Sequence, residues 1–255
     1  MFNALKIAFS MYSKIPMPHT EWNEKNMRYA MCFFPFVGAV IGFLYYLWFN
    51  ISLVLDINDI FRSAIYVVIP VLVTGGIHVD GFVDTMDAYN SYQSVERKLE
   101  ILKDSHIGAF ALISSITYFI INFGAVSEIS SLNSVMIIAL GFMLSRAFSA
   151  LAIVKFKSAK DSGLARTFKD SSQKKTVAIT MIFYIALISL IMIYIDFYEG
   201  AGAVVVAVLT FIYYKNMSYK KFGGITGDLA GFFLQLCELF IILTVVFINI
   251  LIRGM

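Results

Sequence analysis

The chain has 255 residues, of which 59% are hydrophobic, 16% aromatic and only 15% charged, with a formal net charge of +3; an ordinary soluble domain carries roughly 25% charged residues. So few charges cannot cover so apolar a surface, which excludes a water-soluble globule, and a net charge this small does not imply a nucleic-acid binder. Cys32 and Cys237 each lie inside an apolar run, so neither a disulfide framework nor a paired-cysteine metal site is indicated.

In chain order, residues 2–14 place Leu5, Phe9 and Tyr12 at helical spacing and predict a helix lying in the interface. Lys6 and Lys14 interrupt this stretch and Pro16 and Pro18 end it, which does not fit a cleavable signal segment. Seven apolar runs follow, near 30–49, 61–77, 107–124, 134–154, 176–195, 200–214 and 229–252, the sixth being the shortest. They are continuously apolar rather than alternating, so the expected fold is all-α, a polytopic helix bundle of about seven spans and not a barrel. Length and the scarcity of linkers suit one integral membrane domain over residues 1–255.

The basic residues sort by segment. Residues 1–29 hold four Lys and Arg, 78–106 three, 155–175 seven and 215–228 three, so 17 of the 20 fall on one side of a seven-span alternation. Arg62 and Arg253 fall on the other side, and Arg146 lies within a span. Because positive charge is retained inside, the N-terminus and segments 1–29, 78–106 and 215–228 are expected on the cytoplasmic face of the cell membrane. Segment 155–175 reads as a topology determinant and an anionic-lipid contact.

The densest polar signal is Gly75-Gly76-Ile77-His78-Val79-Asp80-Gly81-Phe82-Val83-Asp84-Thr85-Met86-Asp87. In a helix, Asp80, Asp84 and Asp87 stand at i, i+4 and i+7 and project within about 60° of one another. Three like charges on one face repel unless a cation holds them, and hard oxygen donors suit Mg²⁺, which binds one or two carboxylates plus substrate phosphates. The plainer alternative is an acidic helix end in water; His78, likewise, suits packing as well as chemistry.

Next, Glu96, Arg97, Glu100 and Lys103 read as ordinary helix-surface pairs. Lys103-Asp104-Ser105 differs in abutting a span, where a lysine would meet phosphate and an aspartate a metal or hydroxyl. Arg146 needs a carboxylate or phosphate partner, and one of the aspartates would serve. Gly223-Gly224-Ile225-Thr226-Gly227-Asp228 precedes the last span, and glycines before a helix leave backbone N–H groups open to an anion, so Gly223, Gly224, Thr226 and Gly227 are candidate phosphate contacts. Asp228 and Gln235 share a face, and Glu238 lies a turn deeper, where it either serves the site or ties two helices together.

Carboxylate-held Mg²⁺ with phosphate donors is the equipment of phosphoryl transfer. A divalent-cation transporter is the rival class, although it would place its acids near the midplane and within repeated halves.

These residues resemble the cobalamin synthase family, the adenosylcobinamide-GDP ribazoletransferases. The likeness runs through Ile15-Pro16-Met17-Pro18, Phe34-Pro35-Phe36-Val37-Gly38 with Ile41-Gly42, and the Gly76–Asp87 stretch. It continues through Lys103-Asp104-Ser105-His106-Ile107-Gly108, Ser145-Arg146, and Gly223–Asp228 with Glu238. The resemblance implies a Mg²⁺-dependent multi-pass transferase. An α-ribazole hydroxyl, free or 5′-phosphorylated, attacks the cobinamide-side phosphorus of adenosylcobinamide-GDP and releases GMP. It implies Asp80, Asp84 and Asp87 as metal ligands, Asp228 as a further one, Lys103 and Arg146 against pyrophosphate charge, and His78 or Asp104 as proton acceptor.

The chain departs from the family pattern at Ala88, usually glycine, and at Lys160-Asp161-Ser162-Gly163-Leu164-Ala165. Similar acid spacing occurs in the CDP-alcohol phosphotransferases, the alternative enzyme class. Apolar surface beyond one bundle would permit a homo-oligomer.

Overall fold

A computed structural model describes residues 1–104, 106–159 and 164–253. Ser105 of the Lys103-Asp104-Ser105 motif and residues 160–163 of the departing basic stretch lie outside them. Twelve helices are defined there: α1 (Phe2–Tyr12), α2 (Glu24–Met27), α3 (Phe34–Val54), α4 (Asp59–Thr74), α5 (Ile77–Asn90), α6 (Val95–Ile101), α7 (Ala109–Ser127), α8 (Leu132–Lys155), α9 (Leu164–Ser171), α10 (Lys174–Ile195), α11 (Phe197–Phe222) and α12 (Gly227–Arg253). No strand occurs among the described residues, only an isolated bridge between Ser158 and Ile225.

Six stretches are long and apolar enough to cross a membrane: Glu24–Val54, α7, α8, α10, α11 and α12. The expected second span differs. Helix α4 has 16 residues, and α4 with α5 pass only as a pair bent by 96°. The bend is built by Gly75 and Gly76, both left-handed at φ 67° and 81°, a conformation that glycine alone adopts without strain. The sixth span is not short. The lysines at 215, 220 and 221 end the apolar run, but nothing breaks the helix before Gly223, so α11 runs 26 residues.

Helix α8 is the central helix, packed against α3, α10 and α12. Small residues let α3 approach it: a Cβ on Gly42 would stand 2.6 Å from the Ala139 carbonyl oxygen. Helix α1 is docked rather than merely interfacial, since Ala4, Ile7, Ala8 and Phe9 are buried.

The basic segments gather at one end of the bundle. Lys14 N–H donates to the Val73 carbonyl (2.8 Å), Arg28 Nη2 to Gln173 (2.6 Å) and Lys157 N–H to the Tyr219 hydroxyl (2.7 Å). At the other end Arg253 meets Ser130, and Arg62 meets Asp59 at 2.6 Å. There Ser134 and Asn249 donate to the buried Glu199 at 2.8 and 2.7 Å. The alternation of charge along the chain is thus a segregation in space.

Candidate active site

Helix α5 owes its position to two glycines. A Cβ on Gly81 would stand 2.7 Å from the Asp228 carbonyl oxygen, and one on Gly231 would stand 2.9 Å from that of His78. The two helices therefore cross backbone to backbone, a contact that any side chain would prevent. Gly81 sits between the aspartates of the first motif, and Gly231 one turn beyond Asp228 of the second. The crossing joins the two acidic constellations.

Two cavities meet at Asp80. One, of about 260 Å³, is lined by Tyr12, His78, Asp80, Ser149, Gly227 and Asp228 among others. The second, of about 700 Å³, is lined by Gly75, Gly76, Asp80, Asp84, Lys103, Asp104 and His106. Ile77 and Asp80 border both, so the acids line adjoining cavities flanked by α12 and the 102–107 segment. Seven of the expected site residues are brought together here: His78, Asp80, Asp84, Lys103, Asp104, Gly227 and Asp228.

Asp87 is placed differently. It borders neither cavity, and its carboxylate lies against Gly108, the N-cap of α7, where a Cβ would overlap it. A carboxylate at a helix start is favoured by the backbone N–H groups there. Among the described residues no three His, Cys, Asp or Glu side chains converge on one point.

The glycine motif divides in function. Gly223 is the left-handed cap that ends α11 (φ 74°), and Gly224 is packed on residues 157–159, with Ile225 N–H donating to the Lys157 carbonyl at 2.8 Å. Both are thereby committed to a turn. Thr226 caps α12, its Oγ1 accepting from Leu229 N–H (3.2 Å) and donating to Asp228 Oδ2 (3.3 Å). Gly227 alone of the three glycines opens on the cavity, at the N-terminus of α12 where helix N–H groups are unsatisfied.

Arg146 does not reach the aspartates. It is 0% exposed, and its Nη1 donates to Glu238 Oε1 at 2.7 Å and to the Phe142 carbonyl at 2.9 Å. Ser145 Oγ also donates to Glu238, at 2.9 Å. Glu238 thus ties α8 to α12, the structural alternative for that acid. His78 is also buried, between the rings of Tyr12 and Phe34, and lines both the 260 Å³ cavity and a small one shared with Arg146 and Glu238. Among the described residues its Nε2 has no hydrogen-bond partner.

Asp104 is exposed and accepts from His106 N–H at 3.0 Å, with the His106 ring 2.6 Å away. These contacts hold its carboxyl below the usual carboxylate range, which weakens it as a base. Arg97 pairs with Glu100 at 2.6 Å, the surface pair that helix spacing predicts. Sequence reasoning missed His106 and Tyr12 as site residues. His106 lay within a motif already singled out, whereas Tyr12 read only as part of an apolar helical stripe and reaches the site because α1 docks.

The sequence model of the cobalamin-5-phosphate synthase family matches residues 4–246. An adenosylcobinamide-GDP ribazoletransferase of Lachnoclostridium phytofermentans is 51% identical over 244 residues, covering 96% of this chain and 93% of that protein. Proteins of the same name from Clostridium botulinum strain Alaska E43 and Clostridioides difficile strain 630 are 34% and 31% identical, over 94% and 89% of this chain and 95% and 90% of theirs. No solved structure matches the chain.

Proposed function

The chain belongs to the cobalamin-5-phosphate synthase family, and from that premise we propose that it joins adenosylcobinamide-GDP to α-ribazole or its 5′-phosphate with release of GMP. The observation that carries this reading is the Gly81–Gly231 crossing, which sets Asp80 in one cavity with Asp228 and the start of α12, while Asp84 lines the adjoining one. Neither a lipid phosphotransferase nor a cation transporter is needed to account for it.

The acceptor hydroxyl oxygen forms a bond to the cobinamide-side phosphorus. The bond from that phosphorus to the bridging oxygen breaks, GMP departs with the bridging oxygen, and the hydroxyl proton passes to a base. The donor set fits Mg²⁺, since the carboxylates of Asp80, Asp84 and Asp228 line the adjoining cavities and offer the one or two protein ligands that such an ion takes. When bound, the ion would neutralise charge on the phosphoryl oxygens.

The chain's own groups do the rest. Lys103 meets pyrophosphate charge at the cleft rim, and Gly227 presents the start of α12 to an anion. His78, which lines the cleft and whose buried Nε2 has no hydrogen-bond partner among the described residues, is the proton acceptor in this proposal, whereas Asp104 is already engaged by His106. Asp87 orders the start of α7 beside the cleft. Arg146 is a positioning residue, acting through Glu238 and the α8–α12 contact.

The test is GMP release by the purified protein in nanodiscs. It is expected only when both substrates and Mg²⁺ are supplied. Release of CMP from a CDP-alcohol instead, with no GMP from the cobinamide substrate, would overturn the reading. Gly231→Val should push α5 off α12 and lower turnover by about 10²-fold, as a misplacement near 1 Å does, with the protein still folded. Turnover equal to wild type would remove the crossing from the mechanism.

The basic end, with the cleft, faces the cytoplasm in this proposal, following the retention of positive charge inside. In cells, an impermeant maleimide should label a cysteine at position 128 from outside and one at position 90 only after permeabilisation. The reverse pattern would invert the topology.

A further inference from the structure

Beside the glycine turn lies a further cavity, of about 400 Å³, lined by Tyr89, Tyr92, Ser94, Lys98, Lys220 and Lys221 among others. It is separate from the aspartate cleft, with which it shares no lining residue. Lys98 is only 5% exposed, and among the described residues no carboxylate lies within ion-pair distance of it. Its ammonium is instead 5.8 Å from the Tyr89 ring centroid and 5.9 Å from that of Phe222. Ring faces compensate a cation only in part, so an ammonium that faces a cavity with no counter-ion among the described residues has room there for an anion.

Lys220 and Lys221, at the end of α11, bring two more ammonium groups to the same cavity, also without carboxylate partners among the described residues. Burial and the nearby Lys221 hold the Lys98 ammonium below the usual lysine range. Tyr92 adds an independent observation. It is 90% exposed and sits at φ 55°, left-handed backbone that a bulky residue rarely adopts, and strain of this kind gathers at ligand sites. It holds an aromatic ring at the cavity mouth.

We propose that Lys98, Lys220 and Lys221 form a binding site for a phosphate monoester, with Tyr89 and Tyr92 receiving a ring attached to it. Three ammonium groups answer the charge of a phosphate dianion, and 400 Å³ is within the usual range for small-ligand sites. The phosphate would come from a soluble nucleotide-like ligand or from a lipid headgroup. Identification of the phosphorylated acceptor as that ligand rests on the transferase reading; the phosphate chemistry does not.

Pyridoxal 5′-phosphate tests the site on the full chain without requiring turnover. Its aldehyde condenses with a lysine amine, losing water to form an imine, and borohydride supplies the hydride that reduces the C=N bond to a stable amine located by mass spectrometry. Lys98 labelling in phosphatidylcholine nanodiscs should be at least about tenfold faster than with pyridoxal, which lacks the phosphate, and should be suppressed by inorganic phosphate. Lys220→Gln/Lys221→Gln, both at exposed positions, should remove that advantage while leaving the unfolding temperature unchanged.

Equal labelling by pyridoxal and its phosphate, or no protection by phosphate, would overturn the proposal. Phosphatidic acid, whose headgroup is a phosphate monoester, in the nanodisc separates the sources. Protection of Lys98 by that lipid assigns the site to a headgroup, and undiminished labelling assigns it to a soluble ligand. A preparation that labels as expected but releases no GMP would fail the transferase reading and leave the phosphate site standing.

Discussion

Asp84→Asn is expected to lower GMP release by at least about 10²–10³-fold, the scale on which loss of one charge-stabilising group acts on a polar transition state. Asparagine keeps the size and helical fit of the side chain and removes only its charge. In α5, Asp80 and Asp84 are one turn apart and both border the 700 Å³ cavity, so their like charges oppose each other in the ligand-free protein. Unfolding temperature should hold while activity falls, a combination that a damaged fold does not produce. The Mg²⁺ concentration for half-maximal rate should also increase. Turnover within tenfold of wild type would remove Asp84 from the mechanism.

The largest stability effect is expected from Arg146→Met. Removing one partner of a buried ion pair leaves an uncompensated charge, at a cost of about 3–5 kcal/mol, whereas replacing both partners by apolar residues of similar volume is close to neutral. Here the stranded group would be Glu238, 5% exposed and 2.7 Å from the Arg146 guanidinium. Among the described residues, Ser145 alone would then remain to hydrogen-bond it. Thermal unfolding in nanodiscs should show a large drop for Arg146→Met and recovery for Arg146→Met/Glu238→Leu. Activity should recover with stability in the double variant if Arg146 only positions α8 against α12. A stable but inactive double variant would show instead that the guanidinium itself acts on substrate charge.

Much of this protein was legible in local sequence. Continuous apolar runs marked the spans because a lipid-spanning helix must be apolar along about 20 residues. The basic segments marked one end of the bundle, and helical periodicity put Asp80 and Asp84 on one face before any packing was known. The family likeness followed from motifs in order along the chain, and the match over residues 4–246 agrees with it.

Tertiary structure decided the rest. Apolarity does not reveal that α4 turns 96° into α5, because the bend depends on two left-handed glycines and on what α5 can then pack against. Periodicity treated Asp87 as the equal of Asp80 and Asp84, yet the approach of α7 draws it to Gly108. Arg146 announced its need for an anion but not which one; the α8–α12 contact chose Glu238 over the aspartates. Gly223 and Gly224 looked like an anion cradle, and the bridge to residues 157–159 commits them to a turn. In each case the sequence by itself determined what a residue requires, through hydrogen bonding, charge and hydropathy within a few turns. Which partner meets that requirement was set by close approach between distant helices, and in an all-apolar bundle no stripe of residues declares whether it will face lipid or another helix.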